Sequence, residues 1–493
     1  MTTTEPAARS SLAPGEVAIE HTSWDDPRVA DLREEMTREL HPRYADLIDV
    51  RPGPPPVVDI GDIAVTLLAL IDGRPVATTA LKRTGSLAEV KRVFVKPDAR
   101  RRGLASLLLD AIEDEARHLG YAEIHLQTGA RQPEAMDLYV RQGWWPVEPF
   151  GPYAEDQQVS RCYAKALTPL LVATEIPASH AHGTTLEAVV ELEAAGADLV
   201  LLDDDYLVTG ALDAPTVASA AAPLTERIVL APRVRTTHTE PFHASKAIQT
   251  LDWLSHGRAG WVADVALSPR EAAAFGRREA PSASDAWQEA GEAIEVSRQL
   301  WDSWEDDAEI RDVATGRFID RAKVHHIDFE GRWFSIKGPS IVPRSPQGRI
   351  PVIVEVSADN QTAAAALATA VGHADVIRVR DARQVARVRE ALAAAGREHV
   401  RVLADLDPAT LPDLPHADAR ATLAGAVAQW RSTTGADGVL VPAETVATAT
   451  AAGPRPDGAT FREKLGLTRP PSRYARDETP SEVSTPNKTE DER

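Results

Sequence analysis

The sequence has a single cysteine, Cys162, and no excess of positive charge. One cysteine forms no intramolecular disulfide, so the chain does not need an oxidising compartment. The formal net charge is -20, with 54 Lys and Arg against 74 Asp and Glu. Such a surface repels a phosphate backbone, because nucleic-acid affinity is largely basic and electrostatic. We therefore expect no nucleic-acid partner.

Long apolar runs are also missing. Nowhere do about eighteen apolar residues run together, which predicts no membrane-spanning helix. The first residues, MTTTEPAARSSLAPGE, lack the basic segment and following apolar segment of a secretory signal. We expect a cytoplasmic protein with no membrane partner.

The chain does contain enough apolar residues for sizeable cores. Hydrophobic residues make up 43% of the 493 residues and charged residues 26%, which is the balance of a globular protein. The length suggests more than one domain. We expect two domains, 15–168 and 169–468, because the pattern of strand-like segments changes near Ala164 to Pro169. Residues 1–14 and 469–493 are polar and contain proline, which predicts disordered tails.

The two halves differ in how strands and helices alternate. In the first half, β-rich runs flank Asp72-Gly73, a good hairpin signal, and predict an antiparallel meander with helices on it. In the second half, short apolar strands alternate with Ala-rich helices, from DLVLLDD to ADGVLVPA. This alternation predicts right-handed βαβ units and a parallel sheet long enough to close into a barrel. The fold class is therefore α/β.

The most informative stretch runs from Val90 to Tyr121. Apolar residues from Leu104 to Leu119 fall on one helical face, and Gly120 stands where a C-terminal cap belongs. A strand therefore enters a helix through a basic turn. The backbone N–H groups of residues 101–105 have no partner within the helix and suit a pyrophosphate. The alternative is a basic, solvated surface turn.

This turn resembles the signature of the GNAT family of N-acetyltransferases. It reads Arg100, Arg101, Arg102, Gly103, Leu104 and Ala105, which matches the family's R-x-x-G-x-A. The flanking segments KRVFVKP, HLQTGARQPEAMDLYVRQGWW and EPFGPYAEDQQVSRCYAKAL resemble the same family in the expected order. The resemblance implies an α+β domain with a mixed, mostly antiparallel sheet. It also implies acetyl-CoA as co-substrate, its pyrophosphate on residues 101–105, and direct acyl transfer to a small-molecule amine.

Within this resemblance, three groups receive chemical roles. Glu89 is the candidate base for the amine, an exposed strand carboxylate being the alternative. A backbone N–H near Phe94 or Val95 would polarise the thioester carbonyl, as the family does. Tyr139 resembles the tyrosine that protonates the leaving thiolate in this family, and buried core filler is its alternative.

Other polar positions carry weaker signals. Gln132-Pro133 replaces the asparagine that the family places before this helix, and Tyr153 is a candidate for lining the acceptor site. His325-His326 and the acids Asp203 to Asp205 lack the spacing of a metal-ligand set. We interpret these last two groups as solvated polar residues and expect no metal.

The second half resembles the luciferase-like flavin monooxygenases, in particular the nitrilotriacetate and dibenzothiophene-sulfone monooxygenase branch. The segments TEPFH, LDWLSHGRAGW, LWDSWEDD and GPSIVPRSPQGR carry this resemblance. It implies a TIM-like (β/α)8 barrel that takes reduced FMN from a separate flavin reductase and oxidises a small organic substrate. If the protein forms an oligomer, we expect the barrel to provide the contact.

The sequence departs from this family where flavin should touch it. Val262 and its neighbours stand in place of an Asn-containing strand end, and Asp359 stands in the phosphate turn that follows Ser357. Thr236, Thr237 and His238, at the end of a strand, remain candidate flavin or substrate contacts, and Ser357 is a further candidate flavin contact. Two hypotheses stay open: an altered monooxygenase, or a barrel kept as a non-catalytic binding or scaffolding module. A third, in which both halves are degenerate and the protein is a regulator, is disfavoured by the intact acetyltransferase turn.

Overall fold

The computed structural model describes residues 17–46, 59–84, 87–154, 159–178, 184–357, 360–411 and 419–475. The chain folds into two compact units. The first comprises Met1–Val172, Ala195–Ala197 and Ala404–Pro456, and the second comprises Ala173–Ala194, Asp198–Leu403 and Asp457–Arg493. None of the described helices is both long and apolar enough to cross a membrane.

The N-terminal region forms a seven-stranded sheet with the order β1-β2-β3-β4-β5-β7-β6. Its strands are β1 Val17–Thr22, β2 Ile63–Ile71, β3 Arg74–Thr84, β4 Leu87–Val95, β5 Glu123–Gly129, β6 Trp145–Val147 and β7 Ser160–Ala166. Strands β4 and β5 pair in parallel, whereas the other neighbours pair antiparallel. The prediction of a mixed, mostly antiparallel sheet is confirmed.

Helices cover both faces of this sheet. They are α1 Pro27–Tyr44, α2 Leu104–His118 and α3 Pro133–Arg141. Because side chains alternate along a strand, Leu67 of β2 packs in the core that contains α2, and Leu68 packs with α1 on the opposite face. Gly120 follows α2 with φ +85°, as predicted for its cap.

The predicted hairpin at Asp72-Gly73 is confirmed. It joins β2 to β3, and both turn residues have positive φ, 49° and 76°. A turn with two positive φ angles matches the twist of the flanking strands, and Asp-Gly adopts it readily. Strand β3 pairs on its other side with β4, the strand that leads into the basic turn.

A bulge interrupts β4 at Arg92. Ala80 of β3 pairs with Lys91, yet Thr78 pairs with Phe94, so β4 contains one extra residue there. Arg92 has φ +58°. A bulge of this kind bends a strand and re-aims the side chains beyond it. Phe94 consequently packs with the α1 face of the sheet.

The remaining strands are β8 Leu171–Ile176, β9 Leu199–Leu202, β10 Val229–Arg235, β11 Trp261–Asp264, β12 Glu309–Asp312, β13 Arg317–Ile319, β14 Phe329–Glu330, β15 Ser335–Ile336, β16 Val352–Val356, β17 Val376–Val379, β18 Arg401–Asp405 and β19 Gly438–Leu440. Eight of them close a barrel in the order β10-β11-β16-β17-β18-β19-β8-β9. The pairs β12-β13 and β14-β15 form separate two-stranded sheets. The predicted TIM-like barrel is confirmed.

Helices alternate with the barrel strands along the chain. They are α4 Thr184–Ala194, α5 Ala214–Ala221, α6 Pro241–Leu254, α7 Pro269–Phe275, α8 Ala283–Asp302, α9 Asn360–His373, α10 Val385–Ala394, α11 Ala419–Thr434, α12 Val446–Ala449 and α13 Phe461–Lys464. The family-like segments LDWLSHGRAGW and SPQGR meet before β11 and β16. There, the buried Gln347 side chain donates to Asp252 (2.6 Å) and to the carbonyl of Ala259 (2.8 Å). These segments therefore hold the N-terminal ends of the strands, where a TIM barrel is stabilised rather than active.

The structure corrects one predicted boundary. We expected a disordered tail from residue 469, but residues 469–475 are packed. Arg469 pairs with Asp306 (2.9 Å), and the buried Ser472 donates to the carbonyl of Asp302 (2.7 Å). These hydrogen bonds and ion pairs hold the segment in place. Composition alone does not reveal such partners. The predicted tail 1–14 and residues 476–493 lie outside the described residues.

Candidate functional site

The basic turn of the N-terminal domain leads from β4 directly into α2. Gly103 is the N-cap residue of α2 and has φ +80°, a left-handed conformation that favours glycine. The first helical hydrogen bond runs from Leu107 N to Gly103 O (3.0 Å). The N–H groups of Leu104, Ala105 and Ser106 thus have no acceptor in their own helix, and the helix dipole adds positive potential there. This geometry suits an anionic group.

A cleft of about 510 Å³ opens at this turn. Residues of α1, β4, the first turn of α2 and α3 line this N-terminal cleft, and its volume lies within the range of small-ligand sites. Most residues assigned to acyl-CoA by sequence line it, namely Phe94, Val95, Arg100, Arg101, Gly103, Leu104, Ala105 and Tyr139. Gln132, which replaces the family's asparagine, lines it as well. Arg102 is exposed and is not part of this lining.

The arginines of the turn differ in their partners. Arg100 donates from Nε to the carbonyl of Val95 (2.9 Å) and pairs through Nη2 with Glu39 of α1 (2.6 Å). Within the described ranges, Arg101 and Arg102 have no carboxylate at ion-pair distance. Arg100 therefore ties β4 to α1, whereas the charges of Arg101 and Arg102 are available to a ligand.

Tyr139 lies on α3 with 6% of its surface exposed. Its ring packs near those of Trp144 and Tyr163, with centroid distances of 6.1 Å and 5.7 Å. Burial raises the pKa of Tyr139 above its ordinary value, and the neighbouring Tyr163 adds to the shift. The hydroxyl consequently stays protonated at neutral pH and can donate a hydrogen bond.

Glu89 lies on β4 but does not line the N-terminal cleft. Its neighbours Ala88 and Val90 pack in the α2 core, so the Glu89 side chain points to the opposite face. It is 1% exposed, pairs with Lys91 Nζ (2.6 Å from Oε1) and accepts from Thr84 Oγ1 (3.1 Å at Oε2). Tyr153 bonds to the Lys91 ammonium through its hydroxyl. The exposed strand carboxylate considered as the alternative is not what the structure shows.

A network of charges crosses the barrel interior near the carboxyl ends of the strands. Arg233 of β10 pairs with acids of four other barrel segments: Glu175 (3.0 Å), Asp203 (2.6 Å), Asp264 (3.1 Å) and Glu355 (3.3 Å). Arg378 of β17 also pairs with Glu175 (2.9 Å) and Glu355 (3.3 Å). Both arginine side chains are buried. Asp203, interpreted from sequence as solvated, belongs to this network.

A cleft of about 430 Å³ lies over the network, at the ends where TIM barrels keep their sites. Its charged lining comprises Asp203, Asp264, Glu271, Glu355, Arg233, Arg235 and Arg380. Ser357 lines this mouth cleft as well. Thr237 does not; it is buried, and its Oγ1 accepts from the N–H of Ala266 (2.9 Å). Asp359 lies outside the described residues.

The described lining of the mouth cleft does not fit the phosphate of FMN. A phosphate dianion needs unpaired cations or N–H groups, and each arginine of the lining is already paired. Arg380 contacts Glu355 (2.5 Å), and Arg235 lies 3.5 Å from Glu271. The four carboxylates would repel the phosphate, by on the order of 1 to 4 kcal/mol for each unscreened contact at about 4 Å.

Sequence reasoning missed the partners of the predicted residues. Glu39, Lys91 and Arg233 were not singled out, although each holds another charged residue in place. Glu89 and Lys91 stand two positions apart on one strand, so the alternation of side chains could have revealed that pair. Glu39 and Arg233 meet partners that are distant in sequence, and no local pattern indicates them.

Comparison with known proteins places both halves in families. The model of the luciferase-like monooxygenase family matches residues 168–479, and that of the GNAT acetyltransferase family matches residues 19–144. A component of the pristinamycin IIA synthase of Streptomyces pristinaespiralis is 35% identical over 320 residues, covering 62% of this chain and 98% of that protein.

Two further comparisons concern the barrel. The dibenzothiophene-sulfone monooxygenase of Rhodococcus erythropolis is 39% identical over 145 residues, which span 29% of this chain and 32% of the relative. The crystal structure of a long-chain alkane monooxygenase superposes with a TM-score of 0.52 at 18% identity, covering 61% of this chain and 96% of that one, and supports the fold. The chain therefore belongs to the luciferase-like monooxygenase family and carries a GNAT acetyltransferase domain before its barrel.

Proposed function

We propose that the N-terminal domain transfers an acetyl group from acetyl-CoA to a small amine, and that residues 15–168 form this domain and residues 169–468 the barrel. The observation that carries the proposal is the N-terminal cleft, in which the start of α2, the left-handed Gly103 and Tyr139 face one cavity. The start of α2 and Arg101 hold the pyrophosphate. Arg102, at the exposed edge of the turn, adds charge.

The reaction requires three groups in this proposal. Glu89 lies outside the lining of the cleft, so it takes a proton from the acceptor ammonium through an intervening water, which leaves a neutral amine. The amine nitrogen attacks the thioester carbonyl, whose oxygen accepts a hydrogen bond from the N–H of Phe94 or Val95. The bond from carbon to sulfur then breaks, and the thiolate takes the proton of the Tyr139 hydroxyl. The second proton that the nitrogen loses passes to the Tyr139 phenolate, which restores the hydroxyl. The products are an N-acetylated amine and free CoA.

Binding of acetyl-CoA to the full-length protein tests this proposal through Gly103. A Cβ at Gly103 meets no atom within 4 Å, but the φ of +80° strains any L residue. Gly103→Glu places a negative charge at the start of α2 and should abolish binding, whereas Gly103→Ala adds only the backbone strain and should weaken binding modestly. Isothermal titration measures both. Equal binding by the wild type and Gly103→Glu would refute the site.

For the barrel, the family implies reduced FMN, which in such enzymes activates dioxygen to oxidise an organic substrate, and a separate flavin reductase as partner. We propose that this barrel binds FMN weakly, because the arginines of the mouth cleft are committed to carboxylates. This observation favours the second candidate function, a barrel that acts as a binding or scaffolding module for the acetyltransferase domain.

A further inference from the structure

A buried ion pair with a tyrosine over it lies on the α1 side of the N-terminal sheet. Lys91 Nζ stands 2.6 Å from Glu89 Oε1, and the side chains are 15% and 2% exposed. Tyr153, from the single helical turn Gly151–Tyr153, bonds to the same ammonium, which also lies 4.8 Å from the centre of its ring. The mechanism proposed above uses Glu89 and leaves Lys91 and Tyr153 without a role.

Several titratable side chains surround Glu89, but only one compensates its charge directly. Those facing it from β3, β4, β5, β7 and the Tyr153 turn are Lys82, Lys91, Arg92, His125, Cys162 and Tyr153. Lys82 is engaged with Asp62 (3.6 Å), and His125 with Glu123 (3.0 Å). Among the described residues, Lys91 alone is within ion-pair distance of the Glu89 carboxylate.

Burial changes the protonation state that a carboxylate favours. A carboxylate removed from water favours its neutral, protonated form unless a cation stands beside it. A protonated Glu89 could not take the proton of an amine. The same burial lowers the pKa of Lys91, and the Glu89 charge opposes that shift. The neutral Tyr153, whose pKa burial raises, accepts from the ammonium without adding charge.

We propose that Lys91 is a positioning residue of the acetyl transfer, which holds the Glu89 carboxylate ionised and oriented so that it accepts the proton of the incoming amine. This inference rests on the proposed function, in which Glu89 is the base. The proton moves from the substrate nitrogen to Glu89, and Lys91 keeps all its protons. Thr84 fixes the second carboxylate oxygen.

The domain offers a matched control. Lys165 Nζ stands 2.7 Å from Glu113 Oε1 of α2, and these side chains are 18% and 3% exposed. This pair has similar spacing and burial, although Arg117 also lies 3.6 Å from Glu113; it lies away from Glu89 and carries no proposed role. Lys165→Met therefore reports what the loss of a buried lysine does to folding alone.

The experiment compares Lys91→Met, Lys91→Arg and Lys165→Met in the full-length protein. The first readout is the pH dependence of kcat/KM with acetyl-CoA and an accepted amine. Lys91→Met should move the acidic limb upward by about one to three pH units. Lys91→Arg should restore the limb, and Lys165→Met should leave it in place while lowering Tm.

The second readout needs no activity. Isotope-edited infrared spectra at neutral pH should show an additional protonated-carboxyl band in Lys91→Met that is absent from the wild type and disappears when Glu89→Gln is added. If neither the limb nor the spectrum changes in Lys91→Met, the positioning role is refuted. If Glu89→Gln retains full activity although the spectrum changes, the proposed base fails and the effect of Lys91 on Glu89 stands.

Discussion

Tyr139 lines the N-terminal cleft, and its ring packs beside those of Trp144 and Tyr163. Tyr139→Phe keeps this packing and removes only the proton donor. We expect acetyl-CoA binding to stay within about twofold and turnover to fall by roughly 10²-fold, the size of a lost general acid. Titration and steady-state kinetics measure the two quantities. A variant that loses binding as completely as Gly103→Glu would show that Tyr139 does not have a separate role.

Among single residues, the sequence predicted those that a local motif contains. Arg101, Gly103 and Tyr139 were assigned to the cleft because they stand at fixed positions in family-like segments, and the structure brings them to one cavity. Their chemical roles stay predictions. Glu39 could not be assigned in this way, because its partner, Arg100, is distant in the sequence and is brought to it by the fold.

At the level of elements, the end of α1 is fastened to the turn after β5. Tyr44 Oη accepts from the N–H of Arg131 (2.9 Å), and a Cβ on Gly129 would overlap that hydroxyl. Gly129→Ala should therefore move the Tyr44 side chain and break this hydrogen bond, at a cost of about 1 kcal/mol. Because Met36 and Glu39 of α1 line the cleft, a less firmly held α1 should also weaken acetyl-CoA binding.

Denaturant unfolding and titration of Gly129→Ala test this contact. Gly372→Ala is the matched control, since nothing lies within 4 Å of a Cβ there and its φ is unstrained. Because Gly372 lies in α9, where alanine is favoured over glycine, the substitution should raise the free energy of unfolding by up to about 1 kcal/mol and leave acetyl-CoA binding unchanged. A Gly129→Ala variant as stable as the wild type would contradict the described approach of α1.

Most elements could be predicted, because hydrophobic periodicity and turn chemistry are local. The Asp72-Gly73 hairpin, the helix from Leu104 and the eight barrel strands follow from such patterns. The hairpins β12-β13 and β14-β15 were missed, since strands of two to four residues show no alternation. The bulge at Arg92 was also missed, because it depends on the register with β3.

For the whole barrel, the charge network predicts that the free energy of unfolding depends on pH. Burial alone would raise the pKa of Glu175, but its ion pairs with Arg378 and Arg233 outweigh burial and lower the pKa to about 2, from an ordinary 4.5. A carboxyl whose pKa is lowered by folding stabilises the fold fully at pH values above its ordinary pKa. This contribution is lost as the pH falls through the lowered pKa of the folded state. We expect the unfolding free energy to drop between pH 4.5 and 2.

Glu175→Gln gives the control for this dependence. It removes the titrating group, so its unfolding free energy should change less over the same pH interval, while starting from a lower value near neutral pH because buried arginines lose a partner. Denaturant unfolding at a series of pH values measures this. An identical pH dependence in both proteins would show that Glu175 does not contribute.

The mouth cleft also predicts how the whole protein handles flavin. With its arginines paired and four carboxylates in its lining, the barrel should not retain FMN through purification. Anaerobic titration with reduced FMN should give only weak binding. A protein that is yellow and contains one FMN per chain directly after expression would overturn this account and favour a working monooxygenase.

The central claim, an acetyltransferase site built on the start of α2, is tested most directly by thiol release. Full-length protein is incubated with acetyl-CoA and a panel of primary amines, and free CoA is measured over time. We predict release that depends on one or more amines in the wild type and falls to background in Gly103→Glu. No release with any amine, or release that Gly103→Glu leaves unchanged, would contradict the claim.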